Sequence, residues 1–137
     1  MTFRFDIRDS LVRVRVELVG LWGRRIVTMA LDTGASRTVV TEPIVRSLGI
    51  DTSILPRPHS VTGATGNTTA GDVRLDRLSA LGAVWPAPTV MFYHLNPRAR
   101  IDGLLGLDFL RGRILTLDFA RGRIALSPPR PWWAFWR

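Results

Sequence analysis

A mainly β fold with one or two short helices is what the sequence predicts, and three observations carry it. Aliphatic residues alternate with charged ones at strand period near the N-terminus, Gly- and Thr-rich turns punctuate the chain, and only short segments carry helix start and stop signals. With 137 residues, 46% of them hydrophobic, there is material for one real core and no room for two lobes of ~100 to 150 residues each.

The elements follow in order. Val12, Val14, Val16 and Leu18 alternate with Arg13, Arg15, Glu17 and Val19, which puts the aliphatics on one face of a half-buried strand. A turn over Gly20 to Gly23 leads into a second strand, Arg25 to Leu31, and the resulting antiparallel hairpin delivers the chain to Asp32. Glu42 to Leu48 reads as a two-turn helix, with Thr41 as N-cap, Pro43 in the first turn and Gly49 as the stop. From His59 to Leu78 the composition shifts to Gly, Thr and Ser around residues 61–70, the mark of a hairpin with a glycine-rich tip. Trp85 to Tyr93 reads as one short strand, Asn96 to Arg100 as a polar loop, and Leu107 to Leu110 as a helical turn. Arg113 to Phe119 and Arg123 to Leu126 form a last hairpin around residues 120–122, with Leu115, Leu117 and Phe119 alternating. This makes residues 1–127 the folded domain and 128–137 a Pro/Trp-rich tail holding three of the five tryptophans. Those aromatics must be covered. Docking on the domain or across a subunit interface is preferred to a membrane surface, although Trp suits that too.

Composition removes whole classes of chemistry. Without cysteine there is no thiol nucleophile, disulfide or Cys-based zinc site, and His59 and His94 alone make a poor metal site, so no metal is expected. Any hydrolysis must rest on carboxylates or hydroxyls. The net charge of +8 comes from nineteen basic residues that are all arginine, spread from Arg4 to Arg137 with no run of five. That pattern reads as a solvated face and an arginine-for-lysine usage, so no nucleic-acid partner is expected; an arginine-rich nucleic-acid binder stands as a third reading. Residues 1–11 lack the apolar stretch of a secretory leader, and no run approaches the ~18 apolar residues of a membrane span, so a cytoplasmic location is expected.

Leu31-Asp32-Thr33-Gly34-Ala35-Ser36 is the most informative hexapeptide. An acid at the end of a buried strand sits in apolar surroundings, Thr33 adds a hydroxyl that can fix the loop, and Gly34 lets backbone approach a ligand. His59 and His94 have no nucleophile-elbow context and read as plain loop histidines. Asn67-Thr68-Thr69 matches a glycosylation acceptor but means little without a leader.

The order of landmarks resembles retropepsin-type aspartic proteases, the single-domain homodimeric class of retroviruses and their bacterial relatives. The hairpin into Asp32-Thr-Gly-Ala-Ser, the Gly-rich hairpin at residues 61–70 in the place of a flap, Leu104-Leu105-Gly106 and the short helix after it all occur in sequence. The resemblance spans roughly residues 11–126 and implies a closed or partly closed antiparallel β-barrel that works as a homodimer. It implies an aspartic endopeptidase with Asp32, Thr33 and Gly34 in the catalytic loop. Ala35, Ser36, Leu104 and the tip residues Gly63, Ala64, Thr65 and Gly66 would line a groove for an extended polypeptide. No cofactor is implied. One Asp-Thr-Gly per chain is then half a site, with one Asp32 from each subunit. The alternative is a module of the same fold that binds peptide or dimerises without turnover. Asp102, which lacks a following Thr, reads as a turn or pocket rim and not as a second catalytic acid. Asp108 and Asp118 read as structural. Many viral members pair an acid two residues after the Gly with an Arg after the second Gly. Those positions here are Ser36 and Leu107, and an Arg37–Asp108 pair is expected to replace the tie.

Overall fold

The alternation at Val14, Val16 and Leu18 becomes the inner face of strand β2 (Arg13–Gly20), and its partner β3 (Gly23–Leu31) turns Val27 and Met29 into the same core. The two strands pair from Arg13↔Ala30 to Gly20↔Gly23 around a two-residue loop, Leu21 and Trp22, both exposed. Gly23 holds φ +106°, a conformation a side chain resists, and so allows the tight reversal.

The computed structural model describes residues 1–63, 66–129 and 133. The other strands are β1 (Phe3–Arg4), β4 (Val39–Thr41), β5 (His59–Gly63), β6 (Gly66–Arg74), β7 (Arg77–Ala80), β8 (Ala83–Pro86), β9 (Thr89–Tyr93), β10 (Gly103–Leu105), β11 (Ile114–Asp118) and β12 (Arg123–Ser127). Two short helices interrupt them, α1 (Glu42–Ser47) and α2 (Leu107–Leu110). A nine-stranded sheet runs β5-β6-β9-β4-β10-β3-β2-β7-β8, and a three-stranded sheet runs β1-β12-β11.

Two features correct the expected architecture. The large sheet is mixed: β10 runs parallel to β3, and β4 parallel to β9. It ends on β5 and β8 without closing, so of the two forms expected the partly closed one is compatible. The single strand expected from Trp85 to Tyr93 is two, β8 and β9, because Pro86 and Pro88 lack N–H donors and Ala87 between them turns at φ +47°. The break lets β8 pair with β7 while β9 runs between β6 and β4.

The core gathers Val16, Leu18, Met29, Val40, Val45, Leu48, Leu75, Leu78, Val90, Phe92, Leu105 and Ile124, all essentially without solvent contact. Each such side chain contributes about 1.5–3 kcal/mol on burial. In the last hairpin Leu115 and Leu117 pack against this core, whereas Phe119 lies in the turn, exposed, edge-on to Phe5 at 5.2 Å. Helix α1 starts where expected, but the Thr41 hydroxyl does not cap it; it accepts from the Leu95 N–H. The next residue, Glu42, is buried, and its carboxylate accepts from Arg46, Arg57 and the Thr52 hydroxyl. The Arg57 hydrogen bond, above all, holds Glu42 below the usual carboxylate range. Arg57 also lies over the Phe92 ring at 5.0 Å, which fastens the segment that enters β5. No helix among the described residues is long and apolar enough to cross a membrane.

Candidate active site

Asp32 is delivered by the end of β3 and fixed from two sides. Its N–H donates to the Leu105 carbonyl at 3.0 Å, and its carboxylate Oδ1 accepts from the Gly34 N–H at 2.9 Å. The Ala35 N–H closes the turn on the Asp32 carbonyl at 3.2 Å. The carboxylate is therefore oriented by backbone, half-buried, with Thr33, Gly34 and Ser36 exposed beside it and Ala35 half-buried. At Gly34 a Cβ would lie 3.1 Å from Asp32 Oδ1, so the absent side chain keeps room at the carboxylate.

The loop is clasped by a residue that motif reading passed over. Thr38 is fully buried; its N–H and hydroxyl donate to Asp108 (2.9 and 2.7 Å), and its Oγ1 accepts from the Gly106 N–H at 3.1 Å. The Leu107 N–H adds a bond to the Ala35 carbonyl at 2.9 Å. Gly106 is required by close approach, since a Cβ there would lie 2.7–2.8 Å from backbone atoms of Arg37 and Ala35. The Asp-Thr-Gly loop and the Leu-Leu-Gly segment are thus one bonded unit. The signal was a buried-type Thr between Arg37 and Val39, legible only once the two segments are adjacent. The Thr33 hydroxyl, expected to fix the loop, makes no hydrogen bond among the described residues; the Thr38 hydroxyl does that work.

The expected Arg37–Asp108 pair does not form. Thr38 occupies Asp108, and Arg37 turns the other way, donating from Nη1 to Asp72 Oδ1 on β6 at 2.6 Å. His59 on β5 meets the other oxygen, with Nε2 2.8 Å from Asp72 Oδ2 and 3.4 Å from Arg37 Nη1. Partial burial pushes the Asp72 carboxyl up, but the bonds from His59 and Arg37 and the Arg37 charge outweigh it and leave the group below its ordinary value.

Of the expected binding residues, Leu104 is half-buried on β10, in register with Ala30 and Val39 and so next to the Asp32 loop. Gly63 and Gly66 pair with each other at the exposed hairpin end and make no hydrogen bond to that loop. Ala64 and Thr65 lie outside the described residues. Of the tail, only 128, 129 and 133 are described. Tyr93, unforeseen, belongs to the neighbourhood: burial first, then the negative charge of Asp32, pushes its phenol above the ordinary value.

Other acids are engaged elsewhere. Asp102 Oδ2 accepts from the Thr28 N–H at 3.0 Å while its backbone bridges Thr28 and Thr41, and Asp118 caps the turn at Ala120 and Arg121. Part of the arginine charge is paired within the chain: Arg13 pairs with Asp9, Arg24 and Arg77 with Glu17, and Arg46 and Arg57 with Glu42. Among the described residues no cluster of three or more His, Asp or Glu side chains could hold a metal. A groove of about 570 Å³, lined by Arg15, Ile26, Ala80 and Val84 among others, includes none of the candidate site residues.

The family model for aspartyl proteases matches residues 14–109, from the first hairpin through the Asp32 loop to α2. The chain belongs to the aspartyl protease family. Among solved structures, it is similar to a retropepsin-like aspartic protease from Rickettsia conorii, with a TM-score of 0.69 over 90% of this chain and 95% of that one at 18% identity. The fold of this aspartyl protease family chain is therefore retropepsin-like. No curated protein matches the chain by sequence.

Proposed function

We propose that the protein is an aspartic endopeptidase that acts as a homodimer, with one Asp32 from each subunit. One observation carries the reading: a single Asp-Thr-Gly loop presents a backbone-oriented, half-exposed carboxylate, and Asp102 and Asp108, its nearest rivals in the sequence pattern, are spent on backbone N–H groups. A second acid must then come from a second copy. A two-fold axis between two Asp32 side chains brings exposed Thr33 and Gly34 into the contact. Aspartic proteases are the type case of two carboxylates sharing one proton, because like charges ~3 Å apart cannot both ionise. The ionised Asp32 takes a proton from a bound water, whose oxygen attacks the scissile carbonyl. The protonated Asp32 donates its proton to the carbonyl oxygen, and collapse of the tetrahedral intermediate moves a proton to the leaving amine. The polypeptide lies extended between the floor of Ala35, Ser36 and Leu104 and the hairpin that carries Gly63 and Gly66, held by main-chain hydrogen bonds.

Asp32→Asn is the test. It should leave solution mass at the dimer value and lower peptide cleavage at pH 4 to 7 by about 10²-fold or more, the scale of general acid-base catalysis. Undiminished cleavage by the variant overturns the mechanism. Tight peptide binding without cleavage by the wild type would identify the non-catalytic module.

A further inference from the structure

We infer that Arg37, Asp72 and His59 form a latch at the root of the Gly63/Gly66 hairpin that sets the hairpin's position relative to the Asp32 loop, making them positioning residues for substrate binding. The inference rests on the proteolytic reading for its consequence in catalysis. Its structural basis is the way β6 changes partner. Residues 66–70 pair only with β5, whereas Gly71 to Arg74 pair with β9 inside the large sheet. Beyond Ala70 the hairpin is a two-stranded ribbon whose far side is solvent, and such a ribbon has little stability or fixed direction of its own. Its bearing must be set where it leaves the sheet. Asp72 is two residues past that point, His59 sits opposite Ala70 on the edge strand, and Arg37 reaches them from the residue after Ser36. One carboxylate therefore takes donors from the hairpin's edge strand and from the catalytic loop together. Arg37 and His59 are the charged groups facing Asp72; in register with it across the sheet on β9 is Met91. No other side-chain bond joins the hairpin strands to the Asp32 loop among the described residues.

The experiment compares wild type with Asp72→Asn, Arg37→Ala and Arg37→Lys, by amide hydrogen exchange and by steady-state cleavage of an extended peptide. Asp72→Asn and Arg37→Ala should each raise exchange of residues 59–63 and 66–70 about tenfold and leave Gly106 and Leu107 unchanged, the pattern of local and not global opening. KM should rise about fivefold with kcat within about twofold, since the change removes positioning made before the chemical step. Arg37→Lys, which keeps the charge, should recover at least half of each effect. Unchanged hairpin exchange in Asp72→Asn and Arg37→Ala overturns the latch, as does a rise shared equally by Gly106. A wild type that cleaves no peptide overturns the protease reading instead, and the exchange arm still decides the latch.

Discussion

Around Thr38, itself fully buried, the backbone of the Asp32 loop is held by a buried bond from Gly106 and by bonds to the half-buried Asp108, with Gly106 packed against the Arg37 and Ala35 backbone. At the root of the hairpin the groups that hold are ionic and about one-third exposed, at 31% for Arg37 and 37% for Asp72 and His59. The difference suits the roles proposed for the two regions. A floor that orients a carboxylate must not move, and burial makes its hydrogen bonds costly to break. On the reading proposed above the hairpin opens to admit a polypeptide, and bonds screened by water break at little cost.

The comparison breaks first at Gly106. Gly106→Ala forces a Cβ to within 2.7–2.8 Å of backbone that cannot retreat without pulling on Asp32, so it should cost about 3 kcal/mol by urea unfolding and abolish cleavage. A loss within a few tenths of a kcal/mol would show the floor to be compliant. Thr38→Val comes next. It strands the Gly106 N–H and removes a donor to Asp108, for about 2 kcal/mol, whereas Thr38→Ser keeps both bonds and should lose less than half of that. By contrast Arg37→Ala at the hairpin root should change global stability by less than about 1 kcal/mol, because its ion pair is partly solvated. If Arg37→Ala unfolds the protein as readily as Thr38→Val, the division into rigid floor and releasable hairpin fails.

How much was legible beforehand follows the same division. The two segments of the floor were visible in the sequence, since Asp32-Thr-Gly and Leu104-Leu105-Gly106 are local patterns, and Val14, Val16 and Leu18 declare their buried face by period; the Thr38 clasp that joins the segments was not. What stayed hidden needed two distant segments brought together. Arg37 and Asp108 looked like partners because both follow a motif glycine, but the backbone turns Thr38, not Arg37, toward α2, and the partner of Arg37 is 35 residues away on β6. The parallel β10–β3 and β4–β9 pairings were hidden for the same reason, as period-two alternation does not tell strand direction. Pro86 and Pro88 were visible as breakers, and weighing them would have split the strand that became β8 and β9.

Acid offers the finest separation of the two regions. The Asp72 carboxyl lies below its ordinary value in the folded chain: partial burial raises it, and the His59 and Arg37 bonds with the Arg37 charge lower it further. A carboxyl depressed on folding adds stability that is fully present above its unfolded value of about 3.9 and is lost as the pH falls through the folded value. The latch should therefore hold across the mildly acid range where a shared-proton dyad works, and release only below about pH 3.9. After correction for intrinsic rates, exchange of residues 59–63 and 66–70 should rise below that pH while Gly106 and Leu107 stay protected, and Asp72→Asn should show the raised exchange at every pH with no acid step. The expected change is a few-fold, the smallest of the set. A step of equal size in Asp72→Asn would assign it to another carboxylate, Glu42 first, since Arg57 holds that group low as well and fastens the same hairpin from its N-terminal side.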